Sequence, residues 1–566
     1  MLCEWIEPVV GPGPEVRAIA GELGLPEPLA AILATRGHVT PGEASAFLSP
    51  RLQDLSAPED LEGVAGAAST IARAIRENHR IVLYGDYDVD GVASAAFLQR
   101  VLSGLGGRVE AFVPSRAEEG YGLSHAAVQR CCEEFRPDLL VAVDCGTNSP
   151  SEIARLAAMG IPAVILDHHE PEGARPDAII VNPKLSGSPL RYLCSAGVAF
   201  KVAHALVKMT SRARSTPQVD LREFLDLVAL ATVADMVPLI GENRILVHRG
   251  LQQLPHTRWP GLRALMSVAS VNGTVRGSDI GFRLGPRINA SGRLGTAKES
   301  LDLLLTDDPA VASRIAASLD RQNRERQAVE RSVAMEAEEW LEPRFNPGRD
   351  TTIVAGARDW HPGVLGIVAA RIMRRHHRPT IVVGFDDSGM GRGSCRSIEG
   401  FSLVDALARC SDLLEKFGGH ELAAGLSVRE DRFEDFRAAF EEAGRATVDP
   451  ATMTPRLRLD AELDLSEITD SFLQAMDRLE PFGNSNDQPV FFSRGLVPSL
   501  APKVLKEKHL KLEFREGRAR LDAIYFHADL ADLPRPPWDV AFRAERNTFN
   551  GRTLPQLQIV AIRAAT

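Results

Sequence analysis

The chain has 566 residues, of which 44% are hydrophobic and 25% charged, enough to bury several cores and, on length, to form about three or four domains. A formal net charge of -10 excludes a surface coated in positive charge, although phosphate affinity depends on local lysine and arginine placement and is not excluded. Seven cysteines without CxxC spacing exclude a disulfide scaffold or thiolate zinc site, and neither a signal sequence nor an apolar run of roughly 20 residues is present, so a cytoplasmic protein without membrane contact is expected.

The first half alternates short apolar runs with helical patterns. "RIVLY" (80–84), "VEAFV" (109–113), "LLVAV" (139–143), "PAVIL" (162–166) and "AIIV" (178–181) read as strands, and "VASAAFLQRVLSGL" and "PSEIARLAAMG" as helices between them. This alternation predicts a parallel sheet covered by helices, with ligands bound beyond the carboxyl ends of its strands.

The first strand runs into "YGDYDVDG", which places Asp86, Asp88 and Asp90 at every second position before a glycine. An EF-hand loop is excluded, because its twelfth residue must be glutamate and here is Phe97, and because the segment follows a strand rather than a helix. Asp144 follows the third strand in "VAVDCGTNS", and Asp167, His168 and His169 follow the fourth in "ILDHHEP". One aspartate after a strand is ordinarily a turn or helix cap. Three clusters at one sheet edge repel one another unless a cation neutralises them. Asp235 adds a fourth acid within the apolar run "LDLVALATVADMVPL", where an unpaired carboxylate would cost several kcal/mol to bury. Asp226, earlier in that run, is expected to face solvent or make a structural bond.

Farther along, "RLGPRINASGRLG" sets Arg283, Arg287 and Arg293 among glycines, and "GMGRGSCRS" does the same for Arg392 and Arg396. Both read as loops that bring backbone amides and guanidinium groups to phosphate, or as flexible loops with solvated arginines. Residues 309–342 form one long amphipathic helix, with Val311, Ile315, Leu319, Val329 and Val333 at helical spacing. Strand and helix patterns then alternate again to about residue 450, as in a second α/β domain. Short alternating runs beyond "TVDPATMTP" suggest a small barrel. There, Lys503, Lys506, Lys508 and Lys511 supply positive charge, and Phe514, Tyr525 and Phe542 are aromatic candidates for base stacking or for filling the barrel.

The motifs "YGDYDVDGVAS", "VAVDCGTNS", "ILDHHEP" and "LVALATVADMVPLIGENR", in this order, resemble those of the DHH phosphoesterase superfamily. "EEGYGLS", "SAGVAFKV", "CRSIEGFSL", "LEKFGGHELAAGLS" and "LEPFGNSNDQPVF" narrow the resemblance to its RecJ family of bacterial single-strand-specific exonucleases. Ala231-Thr232 and Ser195 depart from the usual residues, glycine being usual at both first positions, with an effect expected only on local packing.

The resemblance implies a fold class of α/β, in which a parallel-sheet DHH domain (51–305) is joined by a connecting helix (306–342) to a DHH-associated domain (343–450). A lead segment (1–50) precedes them and an OB-like, nucleic-acid-binding barrel (451–566) follows. It implies two Mn2+ or Mg2+ ions, one held by Asp90, Asp144, His168 and Asp235 and the other by Asp86, Asp88 and a shared Asp144, a ligand chemistry suited to these cations. Asp167 would orient a histidine, and His169 would contact the scissile phosphate or assist the leaving group. Arg116, Arg287, Asn289, Arg293, His361, Arg392, Arg396 and His420 would hold substrate, with Arg116 on a terminal phosphate. The implied activity is 5′→3′ hydrolysis of single-stranded DNA to 5′-mononucleotides in recombination and repair, with a helicase and a single-strand-binding protein as further partners. The alternatives are a DHH enzyme for short RNA, cyclic dinucleotides or pyrophosphate, a non-catalytic single-strand-binding scaffold and a structural metal protein.

Overall fold

The structure, a computed structural model, describes residues 3–8, 13–115, 119, 122–210, 219–294, 296–506, 508–549 and 552–565. The chain begins with β1 (Glu4–Ile6) and three helices, α1 (Pro14–Leu23), α2 (Glu27–Thr35) and α3 (Pro41–Leu48). Thr40 starts α3 through a capping box with Glu43, which satisfies two otherwise orphaned amides. These helices do not form a core of their own. Val16, Ile19, Leu29, Leu33 and Phe47 pack with Phe472, Phe491, Phe514 and Phe542 from the far end of the chain.

After α4 (Val64–Arg76), the predicted strands form β2 (Arg80–Gly85), β3 (Arg108–Phe112), β4 (Leu139–Val143), β5 (Ala163–Leu166) and β6 (Ile179–Val181). Their order is β3-β2-β4-β5-β6 and every pairing is parallel. The β-branched runs are buried on both faces, beneath α5 (Val89–Gly104), α6 (His125–Phe135) and α7 (Pro150–Ala158) among others. Helices α8 (Ser195–Thr210), α9 (Leu225–Ala234) and α10 (Gly241–Gln253) complete the larger core.

"RLGPRINASGRLG" is not the expected loop. Ile280–Leu284 is a π-helical turn that continues into α11 (Gly285–Leu294). Its glycines serve packing: a Cβ on Gly292 would lie 3.1 Å from the Tyr87 carbonyl. The connecting helix α12 (Pro309–Leu341) is capped by Asp308 and shares its apolar stripe between two cores. Ala312, Ala316 and Leu319 join the first domain's core, while Val333, Ala337 and Leu341 join the next.

The second α/β unit contains β7 (Ile353–Arg358), α13 (Pro362–His376), β8 (Thr380–Phe385), β9 (Met390–Arg396), β10 (Lys416–Gly419) and β11 (Ala423–Arg429). Its sheet order is β10-β11-β9-β8-β7. "GMGRGSCRS" is therefore a strand rather than a loop. A Cβ on Gly391 would approach Phe385 to 2.6 Å, and one on Gly393 would approach Leu426 to 2.7 Å, so the glycines seat the strand against its neighbours.

Next, β12 (Arg456–Arg458) pairs in parallel with β1. The final unit has seven strands: β13 (Ala461–Glu462), β14 (Phe491–Leu496), β15 (Lys503–Leu505), β16 (His509–Glu516), β17 (Ala519–Phe526), β18 (Trp538–Phe549) and β19 (Arg552–Ala564). Phe514 and Phe542 fill its core and are fully buried, which removes both as stacking platforms; Tyr525 is partly buried. The four lysines are exposed, and Lys511 pairs with Asp522. Among the described residues, no helix is long and apolar enough to cross a membrane.

Candidate metal centre and cleft

The acidic motifs converge where the sheet geometry requires. Asp86 leaves the end of β2, and Asp88 caps α5 by accepting from the amides of Asp90 (2.9 Å) and Gly91 (3.1 Å). Asp90, in the first turn of α5, accepts from the Ser195 and Ala196 amides at the start of α8 (2.7 and 2.9 Å). Asp144 follows β4 at φ +66°, a left-handed conformation that costs a non-glycine residue and marks a tightly determined position. Asp235 stands at the C-cap of α9.

His168 completes the centre. Its Nε2 lies 3.4 Å from Asp144, 3.5 Å from Asp235 and 3.9 Å from Asp90. Asp86, Asp88 and Asp144 form an adjoining group, and ligand atoms lie within 4.8 Å of one another both in this group and in the trio Asp90, His168 and Asp235. A third combination of the same kind joins Asp144 and His168 to His169.

The electrostatics show an uncompensated site. Burial, then repulsion from Asp88, pushes Asp86 up to about 8 and Asp90 up to about 6. Burial and repulsion from Asp90 push Asp235 up to about 9, and the same two causes hold Asp144 well above the carboxylate range. Burial, reinforced by the His169 charge, lowers His168 to about 3 and so keeps its imidazole neutral. Among the described residues, neither Asp86 oxygen, nor Asp235 Oδ2, has a hydrogen bond of normal geometry. Among the described residues, no lysine or arginine pairs with any of the five aspartates. Clustered carboxylates, orphaned oxygens and a neutral imidazole are the donor set that a pair of hard divalent cations requires.

Asp167 belongs to none of these ligand groups and organises the rim of the centre. Oδ1 accepts from the His168 and His169 amides and from His169 Nδ1 (2.7 Å), while Oδ2 accepts from the Thr147 amide (2.9 Å). Burial opposes ionisation of Asp167, but these bonds outweigh it and lower its pKa. The same ion pair overcomes desolvation of His169 and raises the imidazole's pKa. Asn182 ties the rim together by donating to Thr147 Oγ1 and the His169 carbonyl.

A cleft of about 1530 Å³ opens onto the centre, between the first and second α/β units. Tyr87, Asp88, Asn289 and Arg293 line one wall; His361, Arg392, Ser394 and Arg396 line the other. The strand period of two turns Arg392, Ser394 and Arg396 of β9 to one face. Gly366 leaves room for them, since a Cβ there would lie 3.1 Å from Arg396 Nη2. His361 caps α13, its Nδ1 accepting from the Gly363 amide at 3.1 Å, which leaves the ring proton on Nε2.

Two expected contacts are placed elsewhere. Arg287 is engaged with Asp320 (2.9 Å) and the Arg283 carbonyl, and His420 is exposed beside the β10–β11 turn, outside the cleft lining. Arg116 lies outside the described residues. Asp226 is fully buried rather than solvated, accepting from Thr257 Oγ1 (2.5 Å) and Trp259 Nε1 (3.2 Å). Ser195 was not singled out as a functional residue, yet its hydroxyl donates to Asp144 Oδ1 at 2.9 Å. The only signal for it was its departure from the glycine expected of the resembled motif.

Comparison with known proteins agrees with this architecture. Family models match residues 80–232 (DHH family, N-terminal domain), 350–445 (DHHA1 domain) and 459–561 (RecJ OB domain). The chain is 34% identical over 555 residues to the single-stranded-DNA-specific exonuclease RecJ of Bacillus subtilis, covering 96% of this chain and 69% of that one. It is 35% identical over 525 residues to the Escherichia coli protein of the same name, covering 89% and 90%. The crystal structure of RecJ in complex with Mn2+ from Thermus thermophilus superposes with a TM-score of 0.86 at 31% identity, covering all of this chain and 80% of that one. The corresponding Mg2+ complex gives 0.81 at 30% identity, covering 100% and 79%. The chain belongs to the RecJ family of the DHH superfamily.

Proposed function

We propose that this chain is an Mn2+- or Mg2+-dependent exonuclease that hydrolyses single-stranded DNA from its 5′ end, releases 5′-mononucleotides and serves recombination and repair. The observation that carries the reading is the pocket of carboxylates, none with a lysine or arginine partner among the described residues, around neutral His168 in an arginine-lined cleft. Asp90, Asp144, His168 and Asp235 would hold one cation, and Asp86, Asp88 and Asp144 the other. When bound, two such ions activate water and stabilise the attacking and leaving oxygens at phosphorus.

The protein's own groups supply orientation and proton control. Asp167 holds His169 through Nδ1 and favours its charged form, so Nε2 is a donor for the scissile phosphate or the departing 3′ oxygen. Arg392, Arg396, Arg293, His361 and Asn289 would hold backbone phosphates from both walls, and Arg116 a terminal one. A cleft built between two domains admits a flexible single strand and excludes a stiff duplex, and this is the steric basis proposed for strand choice. Division of the chain into a DHH unit, a connecting helix, a DHH-associated unit and an OB-like unit belongs to the same reading. A helicase and a single-strand-binding protein are the partners that would deliver ends to it.

The test incubates the purified chain and its Asp144→Ala variant with Mn2+ and single-stranded DNA labelled internally or at either end, beside matching RNA and duplex. Mononucleotides released progressively from the 5′ end, and lost in the variant, are expected. DNA that is bound but stays intact would sink the reading.

A further inference from the structure

The motif "LEPFGNSNDQPVF" runs from beyond β13 into β14 of the seven-stranded unit but docks on the metal centre's last acidic loop. Asp235 ends α9, and the next residue, Met236, takes the left-handed conformation (φ +60°). That conformation is unfavourable for a residue with a Cβ and persists only where the surroundings impose it. Packing of the side chain does not impose it, because Met236 is 73% exposed. The backbone is held instead. Asn484 Nδ2 donates to the Met236 carbonyl at 2.7 Å, and the Asn484 carbonyl accepts from the Leu239 amide at 2.8 Å.

One residue thus grips both ends of the segment that leaves Asp235. Asn484 is itself presented by a fixed turn, in which Gly483 and Asn486 exchange two backbone hydrogen bonds of 3.0 Å. Asn486 is buried, donates to the Leu479 and Pro481 carbonyls and accepts from Arg36. Arg244 of α10 bolts the same segment from beneath, donating to the Glu480 carbonyl at 2.8 Å and to the Phe47 carbonyl at 2.8 Å. Asn243 closes the other side of the loop through the Pro238 carbonyl. Among the described residues, Asp235 Oδ2 has no hydrogen bond that would orient it from its own side, so its direction depends on the backbone on either side of it.

We infer that Asn484 is a positioning residue for the metal centre: by clamping Met236 and Leu239, the segment between β13 and β14 of the barrel sets the aim of Asp235. This rests on the proposed metal-dependent reading. It makes the barrel unit a structural partner of the first α/β unit's chemistry as well as a candidate surface for DNA.

The test compares the full chain with Asn484→Ala and Asn484→Asp. Asn484→Asp preserves shape, removes the donor and adds negative charge that would by itself favour a cation. Mn2+ affinity is measured by calorimetry and by the Mn2+ electron paramagnetic resonance signal, alongside the Mn2+ concentration that half-saturates DNA degradation. Both variants are expected to bind Mn2+ about tenfold more weakly, the scale seen when groups supporting a metal ligand are removed. Their rate at saturating Mn2+ and their melting temperature in chelator should stay near wild type, because the exposed side chain fills no core. Unchanged Mn2+ affinity in both variants overturns the inference while leaving the metal centre intact. Absence of Mn2+ binding by the wild-type chain overturns the underlying reading as well.

Discussion

Ser195 Oγ donates a 2.9 Å hydrogen bond to Asp144 Oδ1, and both side chains are buried. Asp144 is the one carboxylate common to both proposed cation sets. Its orientation therefore matters twice. Because the Ser195 amide also donates to Asp90 Oδ2 at 2.7 Å, one residue at the start of α8 aligns an acid from the first turn of α5 with one from the end of β4.

Replacing that hydroxyl should weaken both sites without unfolding the helix. A hydrogen bond to a charged acceptor contributes about 1.5–3 kcal/mol, so Ser195→Ala is expected to raise the Mn2+ concentration for half-maximal activity by about tenfold or more. Ser195→Gly loses the same bond and should behave alike. A Mn2+ titration of DNA degradation checks both, and unchanged half-saturation would show that the hydroxyl only fills space.

The cation-free centre should be sensitive to alkali. Asp86 and Asp235 titrate near 8 and 9 in the folded chain, against an ordinary carboxylate value near 4, because burial and mutual repulsion disfavour their charged forms. Between those values the folded state holds more protons than the unfolded state, so stability falls as pH rises from about 4 through 9. Bound cations remove the need for those protons. Melting temperature measured in chelator should thus drop between pH 6 and pH 8.5, and the increase produced by Mn2+ should be larger at pH 8.5. An equal Mn2+ effect at both values would contradict the assignment of these groups to the site.

How much of this was legible beforehand depends on how local each signal is. The parallel sheet and its acidic strand ends were readable, since β-branched runs and the residues just after them are contiguous in sequence. Asp226 and Asp235 lie on one helical run, and only the fold reveals that Thr257 and Trp259 satisfy the first while the second has an orphaned oxygen. The glycines near Arg287 and Arg392 suggested loops, whereas they permit close packing of a helix and a strand. Phe514 and Phe542 sit on alternating strands whose inward face is decided by how the sheet closes. Asn484 was invisible as a support for Asp235, because 249 positions of chain separate the two before folding brings their loops together.

The rim histidine gives a prediction in pH rather than in metal affinity. Asp167 raises the His169 pKa through the 2.7 Å bond to Nδ1. If charged His169 donates to phosphate or to the leaving oxygen, activity falls as pH rises through that pKa. Asp167→Asn removes the negative charge and should move this alkaline limb to lower pH, with a loss in kcat of roughly 100-fold near neutrality, within the range of general acid catalysis. Mn2+ affinity should change much less, since Asp167 belongs to none of the ligand groups. A pH profile of kcat at saturating Mn2+ decides it; a uniform loss without a shift would mean that Asp167 only supports the loop.

The opposite wall should control binding rather than chemistry. Arg392 and Arg396 project from one face of β9 into the cleft, and Arg396 is held in place by the Cys395 carbonyl at 2.7 Å. Burial lowers the Arg396 pKa, though a guanidinium remains charged at any pH where the enzyme works. Each side chain that neutralises one phosphate contributes a slope of about -0.7 to the dependence of log affinity on log salt for single strands. Arg392→Ala and Arg396→Ala should each raise KM for a single-stranded oligonucleotide by tenfold or more, in line with about 1.5–3 kcal/mol for a charged hydrogen bond, and each should flatten the salt dependence by about that slope. Melting temperature and Mn2+ half-saturation should stay near wild type, because neither arginine belongs to a packed core or touches the carboxylates. Measuring KM at several salt concentrations separates the two contributions: a raised KM with an unchanged slope would mean that the lost contact was to a base or sugar, and no change in either would place the DNA backbone elsewhere in the cleft.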